Sequence, residues 1–171
     1  MSIDPDLKIV RQAKLGKRSA FSKLIDKYQD RVLAMAYDYI GNYDDARDIA
    51  QNVFMRVFNK LDGFEEKARF SSWLYRIVVN QCLDVLRKDE RKQISLEKVK
   101  RKLENLTPDQ PKLETIDLYG ADLSELQHTA LILRYYQDLT IPEIADIMEC
   151  SESTVRTHLY RAVRKLRMFM E

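Results

Sequence analysis

Apolar residues recur every three or four positions through most of the chain, the period of amphipathic helices. Phe21, Leu24, Ile25 and Tyr28 open one stripe, which Val32, Leu33, Ala36 and Tyr37 continue. The pattern predicts helix over 6–40, stopped by Gly41-Asn42. A second helix starts near Asp44 and Asp45, acids that suit a helix N-terminus. Its stripe is Ala46, Ile49, Ala50, Val53, Phe54, Val57 and Leu61, and Asp62-Gly63 ends it. Residues 64–70 read as a loop. Ser71 is the expected N-cap of a third helix, from Ser72 to about Lys88, with Trp73, Leu74, Ile77, Val78 and Val85 facing inward.

From 91 to about 121 the periodicity fails. A short helix fits 95–106, but Thr107-Pro108-Asp109-Gln110-Pro111 and then Gly120 break the chain, as a linker would. Three short helices follow. The first, Ser124 to Tyr136, presents Leu126, Ala130, Leu131 and Leu133. Thr140-Ile141-Pro142-Glu143 is a capping box with proline in the first turn, opening a helix that carries Ile144, Ala145, Ile147 and Met148. Glu149-Cys150 turns the chain and Ser151 caps the last helix, whose stripe is Val155, Leu159, Ala162 and Leu166. Ala145 is small enough to let these two helices cross closely.

The expected fold is therefore all-α: two small helical domains, 1–90 and 122–171, joined by a flexible linker over 91–121, the second domain a helix-turn-helix. Only 4 Gly and 4 Pro among 171 residues argue against a turn-rich β-sandwich. The longest apolar run, Val32 to Tyr37, is too short to span a bilayer. The N-terminus has no basic stretch followed by an apolar one, so no secretory signal and a cytoplasmic location are expected. Cys82 and Cys150 lie far apart and suggest neither disulfide nor zinc.

Net charge is only +2, but its distribution is uneven. Glu104, Asp109, Glu114, Asp117, Asp122 and Glu125 make the stretch 103–125 acidic against Lys112 alone, whereas Arg156, Arg161, Arg164, Lys165 and Arg167 crowd the last helix. The capped helix, short turn and basic face together point to duplex DNA. Arg156, Thr157, Tyr160, Arg161, Arg164 and Lys165 combine groups that seek phosphate with groups able to read base edges. A weaker constellation spans 64–88, where Phe64 and Phe70 precede a helix bearing Tyr75, Arg76, Asn80, Arg87 and Lys88. Such residues suit single-stranded nucleic acid, although on the residues alone an aromatic core with an ordinary polar face explains them better. Asp45, Arg47, Asp48, Gln51, Asn52 and Arg56 read as a solvated helix face or a protein-binding one. His128, expected at a helix surface, and His158 have no nucleophile or metal-ligand partner, so neither enzyme chemistry nor a cofactor is expected.

Two segments resemble the extracytoplasmic-function (ECF) sigma factors of bacterial RNA polymerase. Asp44-Asp45-Ala46-Arg47-Asp48-Ile49-Ala50-Gln51-Asn52-Val53-Phe54, followed by Phe70-Ser71-Ser72-Trp73-Leu74-Tyr75-Arg76-Ile77-Val78-Val79-Asn80, is similar to the family's region 2. Leu139-Thr140-Ile141-Pro142-Glu143-Ile144-Ala145, followed by 150–162, is similar to region 4. The resemblance implies core RNA polymerase and promoter DNA as partners, and an anti-sigma factor as a further one. It makes Asp45, Asp48, Gln51 and Arg56 contacts to the polymerase clamp helices. Phe64, Lys67, Ala68, Tyr75, Arg76 and Asn80 become contacts to the unwound −10 strand, extended along the helix by Arg87 and Lys88. Arg156, Thr157, His158, Tyr160, Arg161, Arg164 and Lys165 fall on the helix that meets the −35 duplex. Arg47, Glu149 and His158 depart from the family's usual Glu, Gly and Arg. On the residues alone, a helix-turn-helix regulator with a helical sensor or dimerisation domain also fits, as does a helical adaptor.

Overall fold

The computed structural model describes residues 4–88 and 123–170, less the side chains of residues 88, 169 and 170, and every regular element among them is helical. The predicted linker lies outside the described residues. The chain divides into two compact units, one built on residues 1–88 and the other carrying the C-terminal helices.

Gly16 splits the first predicted helix. α1 (Leu7–Lys14) ends where Gly16 adopts φ +80°, a left-handed backbone that costs glycine little. α2 (Arg18–Ile40) then runs to Gly41, which closes it at φ 71°. The expectation of one helix over 6–40 is corrected to two, because a residue without Cβ lets the chain reverse inside a periodic stretch. α3 (Tyr43–Lys60) starts behind Asn42, whose Oδ1 accepts from the Asp44 and Asp45 amides at 2.9 and 3.1 Å. A 3-10 turn (Leu61–Gly63) leads to the loop before α4 (Phe70–Lys88).

Ser71 is not the N-cap of α4. The helix already begins at Phe70, and the Phe70 amide donates to the Asp4 carboxylate at 2.7 Å. Asp6, 2% exposed, accepts from the Tyr28 hydroxyl and pairs with Lys27. Burial, and then that hydrogen bond, push the Tyr28 phenol far above its ordinary pKa. Around these polar anchors Val10, Leu24, Val32, Met35, Tyr39, Ala46, Val53, Leu74, Val78 and Cys82 form the core. Burial raises the Cys82 thiol to about 12, so it packs as a small apolar group. Phe54, Trp73, Ile77 and Val85 are half-buried rather than inside.

In the second unit α5 (Glu125–Leu131) begins with a reciprocal box between Ser124 and Gln127 and continues as a π-helical turn (Ile132–Tyr136). Residues 127–133 are all buried, so no amphipathic face exists to read. Two expectations are corrected here. Leu126 is 51% exposed, and His128, expected at the surface, is 7% exposed. Burial lowers its imidazole pKa to about 4.

α6 (Ile141–Met148) opens with the Glu143 carboxylate reaching back to the Thr140 amide at 2.9 Å and hydroxyl at 2.7 Å. α7 (Glu152–Met170) follows Ser151, whose Oγ accepts from the Thr154 amide at 3.1 Å. Val155, Ala162 and Leu166 are fully buried, Ala162 and Leu166 packing with Leu131, while Leu159 is partly covered. Between α6 and α7, Glu149 sits at φ 53°, ψ 42°. A side chain in that left-handed region costs roughly 1–2 kcal/mol, partly offset in glycine by its larger unfolded-state entropy. Glu149→Gly should therefore stabilise the second unit by about 0.5–1 kcal/mol. A thermal midpoint that stays put or falls would show that the Glu149 side chain contributes as much as its backbone costs.

Candidate nucleic-acid interface

Helical geometry turns α7 into a two-sided element. At roughly 100° per residue, Arg156, Tyr160, Arg164, Thr157, Arg161 and Lys165 fall in order across the half opposite the Val155–Ala162–Leu166 stripe. Arg156, Thr157, Tyr160, Arg161 and Arg164 are exposed, Tyr160 to 68%, and Lys165 at the rim is half-buried. Arg156 pairs with Glu152 at 2.9 Å, one turn back on the surface. Thr157 donates its hydroxyl proton to the Ser153 carbonyl at 2.9 Å. His158 does not join this face. It is half-buried, its Nδ1 is covered, and no described residue partners that nitrogen. The same 100° arithmetic places it roughly 60° from the centre of the buried stripe, a signal the sequence already contained.

On α4, Trp73, Arg76, Asn80 and Arg87 follow one another at spacings of three, four and seven and so share a face. Asn80 and Arg87 are exposed, and Arg76 and Trp73 half-buried. Arg87 lies 3.5 Å from Asp84. Lys88 ends the helix. Tyr75 is a correction: it points off this face, half-buried, with its ring edge-on to Tyr28 at 6.1 Å.

Phe64 is corrected as well. It is 3% exposed, with its ring 5.9 Å from Phe70 and 5.2 Å from Trp73. This aromatic cluster is core, and Phe64 lies beneath the loop. Above it Lys67 is exposed beside Glu65 at 2.5 Å, and Ala68 is half-buried. The pair raises the Lys67 pKa and lowers that of Glu65 through their hydrogen bond, then their charges.

The outer side of α3 carries Asp48, Gln51 and Arg56 exposed, with Asp45 half-buried near the helix start. Charge reasoning missed its apolar content. Met55 and Phe58 are 64% and 61% exposed, and with Phe21, Leu33 and Phe54 they line a groove of about 730 Å³ between α2 and α3 that also takes in Arg47 and Gln51. The available signal was an excess of apolar residues on α3, more than one buried stripe can hold.

The sigma-70 region 2 family profile matches residues 24–92 and the sigma-70 region 4 profile residues 116–166. The ECF RNA polymerase sigma factor SigW of Bacillus subtilis (strain 168) is 30% identical over 176 residues, covering 94% of this chain and 94% of its own. SigV of the same strain is 33% identical over 137 residues, covering 78% and 81%. Among solved structures, CnrH in complex with the cytosolic domain of CnrY aligns with TM-score 0.67 at 26% identity, covering 96% of each chain. RpoE of Bartonella quintana in complex with the anti-sigma factor NepR aligns at 0.57 and 22%, covering 88% of this chain and 96% of that one, a likeness of fold. These matches define a transcription initiation factor of the sigma-70 class. The chain belongs to the ECF sigma factor family, alternative sigma factors that bind RNA polymerase for promoter recognition. No described helix is long and apolar enough to cross a membrane.

Proposed function

We propose that residues 1–90 dock on core RNA polymerase and capture the −10 element as a single strand, that 122–171 binds the −35 element as duplex, and that 91–121 tethers the two. The observation that carries this reading is the exposed Arg156–Lys165 face of α7, set opposite a fully buried stripe. It supplies cations for phosphates and planar donors for base edges. Arg156, Thr157, Tyr160, Arg161, Arg164 and Lys165 form the duplex set, without His158. Lys67, Ala68, Arg76, Asn80, Arg87 and Lys88 form the single-strand set, without Phe64 and Tyr75. Holding a strand open costs a few kcal/mol per unstacked base, which contacts from this face and from the polymerase offset.

Asp45, Asp48, Gln51 and Arg56 dock the polymerase, joined by the apolar groove beside Gln51. The protein acts in the cytoplasm, needs no cofactor and carries out no reaction of its own. CnrH was solved with the cytosolic domain of CnrY, which supports a further protein partner here, a place that the family resemblance gives to an anti-sigma factor.

Reconstitution with bacterial core polymerase, followed by run-off transcription from a promoter library, tests the whole reading. Wild-type protein should select promoters sharing two separated elements. Asn80→Ala should impair open-complex formation while leaving core binding intact. Equal opening by the variant would remove Asn80 from the strand-capturing face.

A further inference from the structure

The loop that the proposed function assigns to strand capture is held from one side by a segment upstream of the region 2 match. Three contacts reach it from residues 4–14. Arg11 grips Glu66 through two bonds, Nε to Oε1 at 2.9 Å and Nη2 to Oε2 at 2.5 Å. Lys14 Nζ donates to the Phe64 carbonyl at 2.8 Å. Asp4 accepts from the Phe70 amide at 2.7 Å, where the loop enters α4. The beginning, middle and end of the loop are therefore each fixed to the same short segment.

That segment is itself anchored. Asp4 also accepts from the Asp6 amide at 3.0 Å, Asp6 is tied to Lys27 and Tyr28 on α2, and Val10 of α1 is fully buried. The reversal at Gly16 turns the chain between α1 and α2. The brace binds backbone atoms at both ends of the loop and uses only Glu66 of its side chains, so Lys67 and Arg69 stay exposed.

We infer that Arg11, Lys14 and Asp4 are positioning residues for −10 strand capture, holding the 64–70 loop in its binding shape before DNA arrives. This rests on the proposed role of that loop. A preformed loop binds without first losing conformational freedom, and a loop about 1 Å out of place loses its contacts. The Arg11–Glu66 pair is the most testable part. Both groups are at least partly exposed, with side-chain exposures of 64% and 32%, so breaking it should scarcely change stability.

The test uses holoenzyme reconstituted from this chain and core polymerase, on the strongest promoter recovered from the library. The probe is that promoter's non-template −10 strand as a fluorescent oligonucleotide. Arg11→Glu and Glu66→Arg should each weaken strand binding about fivefold, and the double swap should restore it. The decisive variant is Glu66→Arg, which adds positive charge beside DNA. Weakened binding at an unchanged thermal midpoint supports a brace. Stronger binding, or a double variant equal to the sum of the two singles, would mean that these charges act on DNA directly and would overturn the inference. Asn80→Ala separates the two failures. If it weakens binding and the Arg11 and Glu66 variants do not, only the brace falls; if it too is silent, the strand-capture reading falls and takes the brace with it.

Discussion

At pH 5 the C-terminal unit should be about 2 kcal/mol less stable than at pH 7, through His128 alone. The imidazole is held neutral with a pKa of about 4 by its burial in α5, whereas in the unfolded chain it titrates near the ordinary histidine value of about 6.5. As pH falls through that upper value the unfolded chain takes up a proton that the folded unit refuses. The stabilisation is complete above about pH 6.5, declines on the way down, and is gone below about pH 4, with a ceiling of about 3 kcal/mol. A small helical unit has only a few kcal/mol in total, so this decides whether it is folded. The chain has a single tryptophan, Trp73, and it lies in the N-terminal unit. Its fluorescence therefore follows one unit, while far-ultraviolet circular dichroism follows both. The dichroism transition in urea should move to lower denaturant between pH 6.5 and 5, and His128→Gln should abolish most of that movement. An equal shift in the variant would assign the acid sensitivity elsewhere.

Arg161→Ala should weaken −35-dependent initiation by about 1–3 kcal/mol, roughly five- to 150-fold. The size follows from its setting. Arg161 is exposed near the middle of the outer face of α7, and none of the described ion pairs involves it. Arg156, by contrast, is engaged with Glu152 and must exchange that contact before meeting a phosphate. A guanidinium with no bond to give up can place both of its parallel donors on a base edge. Initiation from promoters carrying each base at each −35 position distinguishes the roles. Loss confined to one position marks a base contact. A uniform loss with a salt slope smaller by about one marks a phosphate contact, and an unchanged preference excludes Arg161 from the readers.

Local signals were legible wherever the interaction lay within one turn of sequence. The Thr140–Glu143 box, the Ser151 cap, the stop at Gly41 and the buried Val155–Ala162–Leu166 stripe all depend on neighbours three or four residues away. What failed to show involved distance or the absence of contrast. Asp4 and Asp6 look like an ordinary polar chain start, and their partners Phe70 and Tyr28 lie 66 and 22 residues on. His128 is misplaced by sequence because residues 127–133 are all buried, leaving no polar face against which to judge it. Of the candidate site, the outer face of α7 and the Arg76–Asn80–Arg87 row were readable from spacing. Tyr75 and His158 were readable too, had their angles been weighed above their chemistry. Phe64 was not, since an aromatic residue in a loop looks the same from sequence whether it faces a base or the core.

The hydroxyl of Thr157 gives its one proton to the Ser153 carbonyl, so in the duplex contact proposed above it would offer a base pair lone pairs only. In the major groove the donors are the exocyclic amines of cytosine and adenine, whereas guanine and thymine present acceptor oxygens. Thr157 in this state favours the amino bases and meets the keto bases with repulsion, save for contact between its methyl group and that of thymine. The arginines beside it are donors only and favour the opposite set. One stripe would thus carry both halves of a hydrogen-bond alphabet, where a purely cationic helix offers donors alone and reads only the acceptor edges of guanine and thymine.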